Sequence, residues 1–404
     1  MKLLLLNATA NTGSTGRIAE DIGLLAQQNG YDVRFAYGRT AVNSKLPLIK
    51  IGNKWDIRMH GVKSRLCDAH GFASKSATKA FIKEIEEWKP DIVNIHNIHG
   101  YYINVEVLFD YLKRVQIPVV WTFHDCWPFT GHCSHFEGVN CYRWKTECYN
   151  CPNQKGYPTS ILLDRSTNNF YKKNKIFNGL NNMTIVTPSE WLANHVSNSF
   201  LSNYSAKVIN NGVDLNVFRS IGNKKDVLLK YGLSELPIVL GVANTWKKRR
   251  ALEDFIALSK LIGDKVEIVL VGMTPEQAKG LPNNMKAISR TENTAELATL
   301  YSAATVFVNP TYVDNFPTTN IEALACGTPV ITYRTGGSIE AVNKRTGLIV
   351  EKGDVNGLKV AIEEIVNNGK DFYRDGCRER AVKFYNKDDR FEDYIDLFEN
   401  LLRL

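Results

Sequence analysis

Strand-like apolar runs alternate with helical stretches along this chain, and the alternation occurs twice. That pattern, in 404 residues, predicts an α/β protein of two doubly wound domains facing a cleft. Each domain is expected to be an open parallel sheet with helices on both faces. The composition agrees: 44% hydrophobic and 23% charged residues suffice for two large cores and exclude disorder as the main state.

In the first half the expected strands are Lys2–Leu6, Asp32–Tyr37, Ile92–His96, Pro118–Phe123 and Thr184–Thr187, with helices such as Thr78–Trp88 and Glu106–Lys113 between them. The opening Lys2 and four leucines imitate a secretion signal. The apolar run stops at Asn7, short of the roughly 7–15 residues that such a signal requires, so a buried first strand is expected. In the second half the strands are Pro237–Ala243, Val266–Val271, Met285–Ile288, Val306–Asn309 and Pro329–Tyr333. Helices there include Leu252–Leu261, Thr294–Ala303 and Thr319–Ala325. The domains are expected to span residues 1–205 and 206–385, with a polar linker at 221–226. The amphipathic stretch Asp388–Leu404 could cap the second domain or cross back to the first. No window of about 18 apolar residues occurs, so a cytoplasmic location is expected.

The net charge of +8 is modest and does not suggest a nucleic-acid binder. It is unevenly spread. Residues 1–205 hold 23 Lys and Arg against 16 Asp and Glu, whereas the remainder holds 27 against 26. The excess in the first half, including Lys50, Lys54, Arg58, Lys63, Arg65, Lys75, Lys79 and Lys83, is compatible with an anionic partner or an anionic membrane surface.

Five of the eight cysteines fall between Cys126 and Cys151. Cys133, Cys141, Cys148 and Cys151 could close a tetrahedral structural zinc site; free or redox-pairing thiols are the alternative. Cys67, Cys326 and Cys377 read as buried small hydrophobes.

In open α/β sheets ligands bind beyond the carboxyl ends of strands, which directs attention to four places. Gly13, Ser14, Thr15 and Gly16 open a helix after the first strand, where a ligand can approach backbone N–H groups. His124 and Asp125 end a strand: the histidine could bind a polar substrate and the aspartate orient it, or the histidine could be structural. His96 and His99 form a similar polar strand end. The run Trp246-Lys247-Lys248-Arg249-Arg250 follows a strand and suits a diphosphate. Asp314, Asn315, Phe316, Pro317, Thr318 and Thr319 precede a helix bearing Glu322. Their hydroxyls and N–H groups can meet phosphate, and the two acids could bracket a nucleotide sugar.

At these residues the chain resembles the retaining glycosyltransferases of family 4, which have the GT-B fold. The match rests on the E-x7-E pattern, here Asp314 and Glu322, followed by EALACGTPVI, with support from Asn210-Asn211-Gly212-Val213-Asp214, Pro188-Ser189-Glu190 and Tyr301-Ser302-Ala303-Ala304. It covers essentially the whole chain. The HDxWxxTGHC stretch resembles polysaccharide-assembly enzymes of the colanic-acid or capsule type. The resemblance implies a hexosyltransferase that moves a sugar from a nucleotide-diphosphate sugar to a glycan or polyprenyl-diphosphate-linked acceptor in surface polysaccharide (capsule or O-antigen) synthesis. Location would be cytoplasmic or peripheral at the inner membrane face. No metal or other cofactor serves the chemistry, and the C-terminal segment 386–404 crosses back to the first domain.

By the same resemblance Glu322 binds the donor ribose, and Asp314 with residues 315–319 holds the donor sugar and phosphates. Arg249 or Arg250, beside Lys248, neutralises the diphosphate. His124 contacts the transferred sugar, and Gly13–Gly16 approach the donor phosphates or the acceptor. Three positions depart from the family pattern. Asp314 stands for a glutamate, Asn244 lies near the place of a missing arginine, and Arg250-Ala251 replaces a Lys-Gly pair. A nucleotide-sugar epimerase or sugar-phosphate synthase, and a non-catalytic sugar-binding or scaffold protein, are the competing readings; an epimerase needs acid and base residues at the sugar carbon.

Overall fold

The computed structural model describes residues 1–222, 224–246 and 248–403. It divides into two compact units, residues 1–209 with 391–404, and residues 210–390.

The first unit is built on a parallel sheet of β1 (Lys2–Asn7), β2 (Asp32–Tyr37), β3 (Leu48–Lys50), β4 (Ile92–Ile95), β5 (Val119–Thr122), β6 (Met183–Thr187) and β7 (Ala206–Val208). Their order is β3-β2-β1-β4-β5-β6-β7. β3 and β7 have no counterpart among the expected strands. Each has only three residues at a sheet edge, too few to show a period. β7 also explains why the boundary falls at 209/210 rather than 205/206: residues 206–208 pair with β6 and complete the first sheet.

β1 reads as an unbroken apolar run because both of its faces are covered. Leu4 and Leu6 pack with Phe109 and Trp121 on one side. Leu3 and Leu5 pack on the other with Ile18, Ile22 and Val33, and with Phe391, Tyr394, Ile395 and Phe398 of the last helix, Lys387–Leu402. The C-terminal helix therefore belongs to the core of the first unit.

The second unit carries β8 (Ile238–Val242), β9 (Glu267–Val271), β10 (Met285–Ile288), β11 (Val306–Asn309), β12 (Val330–Tyr333) and β13 (Gly347–Val350), all parallel, in the order β10-β9-β8-β11-β12-β13. The segment Asn210–Asp214 clamps the chain as it leaves this unit. Val213 N donates to Tyr385 O, Lys387 N donates to Val213 O, and Lys387 Nζ lies 2.7 Å from Asp214 Oδ2. Gly212 permits the approach, since a Cβ there would stand 2.4 Å from Lys387 Cα.

In each sheet the strand order reverses beside the strand that opens it, between β1 and β4 and between β8 and β11. Crevices beyond the carboxyl ends at these points are where ligands bind in such sheets. One feature departs from regular structure. Between β5 and the helix Ser166–Phe177 the chain forms only three short 3-10 turns, Trp127–Phe129, Glu137–Val139 and Arg143–Lys145. Phe398 is fully buried against the first sheet. Phe398→Ala should therefore cost about 3–5 kcal/mol in chemical denaturation; unchanged stability would remove the helix from that core.

Candidate active site

In the first unit His96, Asn97, His99, Trp121, His124 and Asp125, among others, gather at the carboxyl ends of β4 and β5. A hydrogen-bond relay sets these histidines. Asn94 is held by Nδ2 donation to Val120 O and Thr122 Oγ1, and its Oδ1 lies 2.9 Å from His96 Nε2. Since Oδ1 only accepts, His96 carries its proton on Nε2 and accepts at Nδ1, 2.9 Å from His124 Nε2. The two rings stack with 15° between their planes. Burial keeps both neutral: it pulls His96 well below the ordinary imidazole range and His124 down to about 4. His124 is thus fixed as the Nε2–H tautomer, with Nδ1 as its acceptor.

Asp125 is buried beside this pair. Burial alone would raise its pKa, but His99, 2.8 Å away, and donation from Trp127 N hold it at about 2. Its carboxylate pairs with His99, and its charge also acts on the neighbouring His124. The role of His96 was legible only as a polar strand end; its link to His124 depends on the parallel pairing of β4 with β5.

At the amino end of the helix Gly13–Gln28 the chain turns sharply, with Asn11 at φ +47° and Gly13 at φ +68°. No side chain caps this helix. Gly16 packs so close that a Cβ would meet Thr9 Oγ1 at 2.8 Å. Gly13, Ser14, Thr15 and Gly16 thus lie where the strand-end rule put them, beyond β1.

In the second unit Arg250 and Asp314 meet. Arg250 Nη1 lies 2.8 Å from Asp314 Oδ2 and 3.4 Å from Thr311 Oγ1. The sequence reading gave these two residues separate duties, one to phosphate and one to sugar; the fold makes them a half-buried ion pair. Arg249 is exposed, and its carbonyl accepts from Tyr312 N. Asn244 is exposed beyond β8. The side chain of Lys248, like the whole of Lys247, lies outside the described residues. Ala251 takes φ +54°, a left-handed conformation that a glycine adopts without a Cβ penalty.

The helix Thr318–Ala325 begins after Pro317 with no side-chain cap, so its first N–H groups face out from a positive helix end. Asn320 anchors it: its Oδ1 accepts from Asn309 Nδ2 and its Nδ2 donates to Ser338 O. Phe316 O is held by Asn211 Nδ2. Asn315 and Phe316 are buried, and Thr318 and Thr319 half-buried. Glu322 Oε2 accepts from the buried Tyr301 hydroxyl at 3.0 Å, which aims the carboxylate. Gly327, at φ +70°, follows the helix end as expected. The loop Thr335-Gly336-Gly337 after β12 was not foreseen. Thr335 Oγ1 donates to Thr311 O, so this loop abuts the Asp314 loop; its signal was a glycine pair directly after an expected strand.

Cys133, Cys141, Cys148 and Cys151 line one pocket, and none is in a disulfide. Among the described residues no group of three or more His, Cys, Asp or Glu side chains is placed so as to hold a metal ion. Cys326 and Cys377 are fully buried; Cys67 is only half-buried.

Two doubly wound units, the second with an open helix start beside an Arg–Asp pair and an aimed glutamate, define the GT-B class of glycosyltransferase. The profile described as Glycosyltransferase Family 4 matches residues 16–217, half of the chain, and that described as Glycosyl transferases group 1 matches residues 237–368. The chain belongs to glycosyltransferase family 4. It is 24% identical to a putative colanic acid biosynthesis glycosyl transferase, WcaC, of Escherichia coli K12, over 99% of this chain and all of that protein. It is 27% identical to the capsular polysaccharide biosynthesis glycosyltransferase CapM of Staphylococcus aureus, over 39% of this chain and 44% of that one. Sucrose-phosphate synthase from Thermosynechococcus elongatus superposes with TM-score 0.73 at 18% identity, over 100% of this chain and 99% of that one. HepE of Anabaena, solved with UDP, gives 0.71 at 14% identity over 99% of each chain. Neither the epimerase nor the non-catalytic reading finds support in these relatives.

The buried imidazoles have a consequence in acid. His60, His96 and His124 stay neutral in the folded chain, His60 down to about 3 and His124 to about 4, whereas in the unfolded chain they gain protons near pH 6.5. Their contribution is complete above about pH 6.5 and declines as pH falls toward 4. Unfolding free energy should be lower at pH 5 than at pH 7, and His96→Asn, which cannot take the proton, should shallow that slope. A flat profile in the unmodified chain would contradict the neutral relay.

Proposed function

We propose that this enzyme transfers a hexose, with retention, from a nucleoside-diphosphate sugar to a glycan or polyprenyl-diphosphate-linked acceptor in surface polysaccharide synthesis. The observation that carries the reading is the uncapped start of helix Thr318–Ala325 between the Arg250–Asp314 pair and Glu322. HepE, of similar fold, was solved with UDP and with UDP-glucose, and WcaC and CapM are named for colanic acid and capsule synthesis. In this reading Glu322 accepts from the donor ribose hydroxyls, and the N–H groups of Thr318 and Thr319 receive the phosphates.

The acceptor oxygen attacks the anomeric carbon from the face that the diphosphate leaves. The bond from that carbon to the phosphate oxygen breaks, and the departing phosphate takes the acceptor's proton. The transition state is oxocarbenium-like, so the protein supplies position and phosphate-charge stabilisation rather than a nucleophile. Arg249 and Arg250 offset the leaving-group charge; the pairing with Asp314 presets Arg250 and holds the Asp314 carboxylate beside it. His124, with its proton on Nε2, is the residue proposed to contact the transferred sugar.

The enzyme works at an anionic membrane face in this proposal. Among the described residues no helix is long and apolar enough to cross a membrane. The helix Lys54–Cys67, however, exposes Trp55, Met59, Val62 and Leu66 at spacings of three and four, with Lys54, Arg58, Lys63 and Arg65 exposed around them. Trp55 is 69% exposed, unusual for so large an apolar side chain. An apolar stripe flanked by cations is how an interfacial helix lies in a lipid headgroup layer.

Replacing Arg249 and Arg250 together by Ala should lower transfer by about 10²–10³ with the fold intact, in an assay of product from a panel of nucleotide sugars. Unchanged kinetics would sink the phosphate assignment. Glu322→Ala should weaken nucleotide binding about tenfold or more in calorimetry, and undiminished affinity would remove its ribose role. Vesicles containing phosphatidylglycerol should sediment the unmodified chain and release the Trp55→Asp variant. Equal sedimentation with neutral vesicles would leave the basic helix merely solvated.

A further inference from the structure

We propose that the pocket lined by Cys133, Cys141, Cys148, Cys151 and His132 binds one zinc ion, which clamps the irregular segment between β5 and the helix Ser166–Phe177. Cys133, Cys148 and Cys151 supply three thiolates, and the fourth donor is Cys141 or His132 Nε2.

The pocket gathers half of the cysteines in the chain, all unbridged. His132 points to a ligand independently of the thiols. Its side chain is 1% exposed, its Nδ1 lies 2.6 Å from Asp68 Oδ1, and its Nε2 is buried with no hydrogen-bond partner among the described residues. A carboxylate holding one ring nitrogen while the other faces a donor-rich pocket is the arrangement that orients metal-binding histidines. Asp68 is itself fixed, with Arg165 N donating to its Oδ2 and Asn169 Nδ2 to its carbonyl.

The backbone around the thiols also suits thiolates. Gly131 N donates to Cys148 Sγ at 3.2 Å, and the N–H of Asn153 serves Cys151. Gly131 has no room for a side chain, since a Cβ would stand 2.8 Å from Cys148 Cβ. Lys173 is buried nearby, its Nζ 3.5 Å from the centre of the Trp127 ring. Binding zinc would release the thiol protons to solvent and draw the sulfurs in to about 2.3 Å. The ligands sit on loops, so this contraction bends no helix or strand.

The segment has reason to need a clamp. Residues 123–165 contain no strand and only short turns, yet they include His124 and Asp125, just beyond the carboxyl end of β5. A chain of this kind without a regular ladder gains order from a metal clip that closes its loops.

The full chain, purified without chelator, should carry about one equivalent of zinc by elemental analysis, and the Cys148→Ser/Cys151→Ser variant less than one-tenth. Should that variant fail to fold, cobalt added to the chelated, reduced unmodified chain decides the matter. The visible bands of tetrahedral thiolate-bound cobalt support the site, and the sulfur charge-transfer intensity per cobalt tells three thiolates from four. Less than one-tenth equivalent of zinc together with no cobalt bands would overturn the proposal. So would a disulfide joining two of the four cysteines in non-reducing mass spectrometry.

Discussion

Each unit depends on one strand that is buried on both faces and paired on both edges. β1 sits between β2 and β4, and β8 between β9 and β11. Such a strand has no solvated side, so Leu3 to Leu6 must all be apolar, and helices must cover both faces. Because the strands run parallel, every connection returns over a face of the sheet, and chain order reverses at the buried strand. The crevice left there collects the loops in which the candidate functional residues stand. The C-terminal helix follows from the same demand: the Leu3 and Leu5 side of β1 needs cover, and Phe391, Tyr394, Ile395 and Phe398 supply part of it.

The loops in those crevices are held by buried polar groups that leave few alternatives. Asn94, His96 and His124 form a directional chain in which one amide oxygen, able only to accept, fixes two imidazole tautomers. Asn320 performs a comparable task in the second unit, joining β11, its own helix and the loop after β12. Arg250 and Asp314 carry formal charge at intermediate exposure, where an ion pair contributes modestly to stability but strongly to orientation. Each of these anchors holds in place a group proposed to meet the donor or the sugar.

The segment from Phe123 to Arg165 obeys different rules. It is too long and too irregular to be held by backbone ladders, and its buried aromatics, Phe129, Phe136 and Trp144, pack in one cluster beside the thiol pocket. Cysteines dense in one irregular stretch and sparse elsewhere fit a local clamp better than a general taste for small apolar residues.

By itself the sequence determined the class. Apolar runs such as Lys2–Leu6 and Val306–Asn309, alternating with helical stretches, specify two doubly wound sheets, and strand-end polar residues point to the loops of His124, Arg250 and Asp314, because these signals are local and periodic. The three-residue edge strands β3 and β7 were not legible, since they are shorter than any pattern they could show. Pairings between distant loops were decided only by tertiary structure: Arg250 with Asp314, His99 with Asp125, Tyr301 with Glu322, and Asp68 with His132. Spacing along the chain carries no information about which strand lies beside which. Strand order and parallel register supply that information, and they arise from burying whole faces rather than from any single residue.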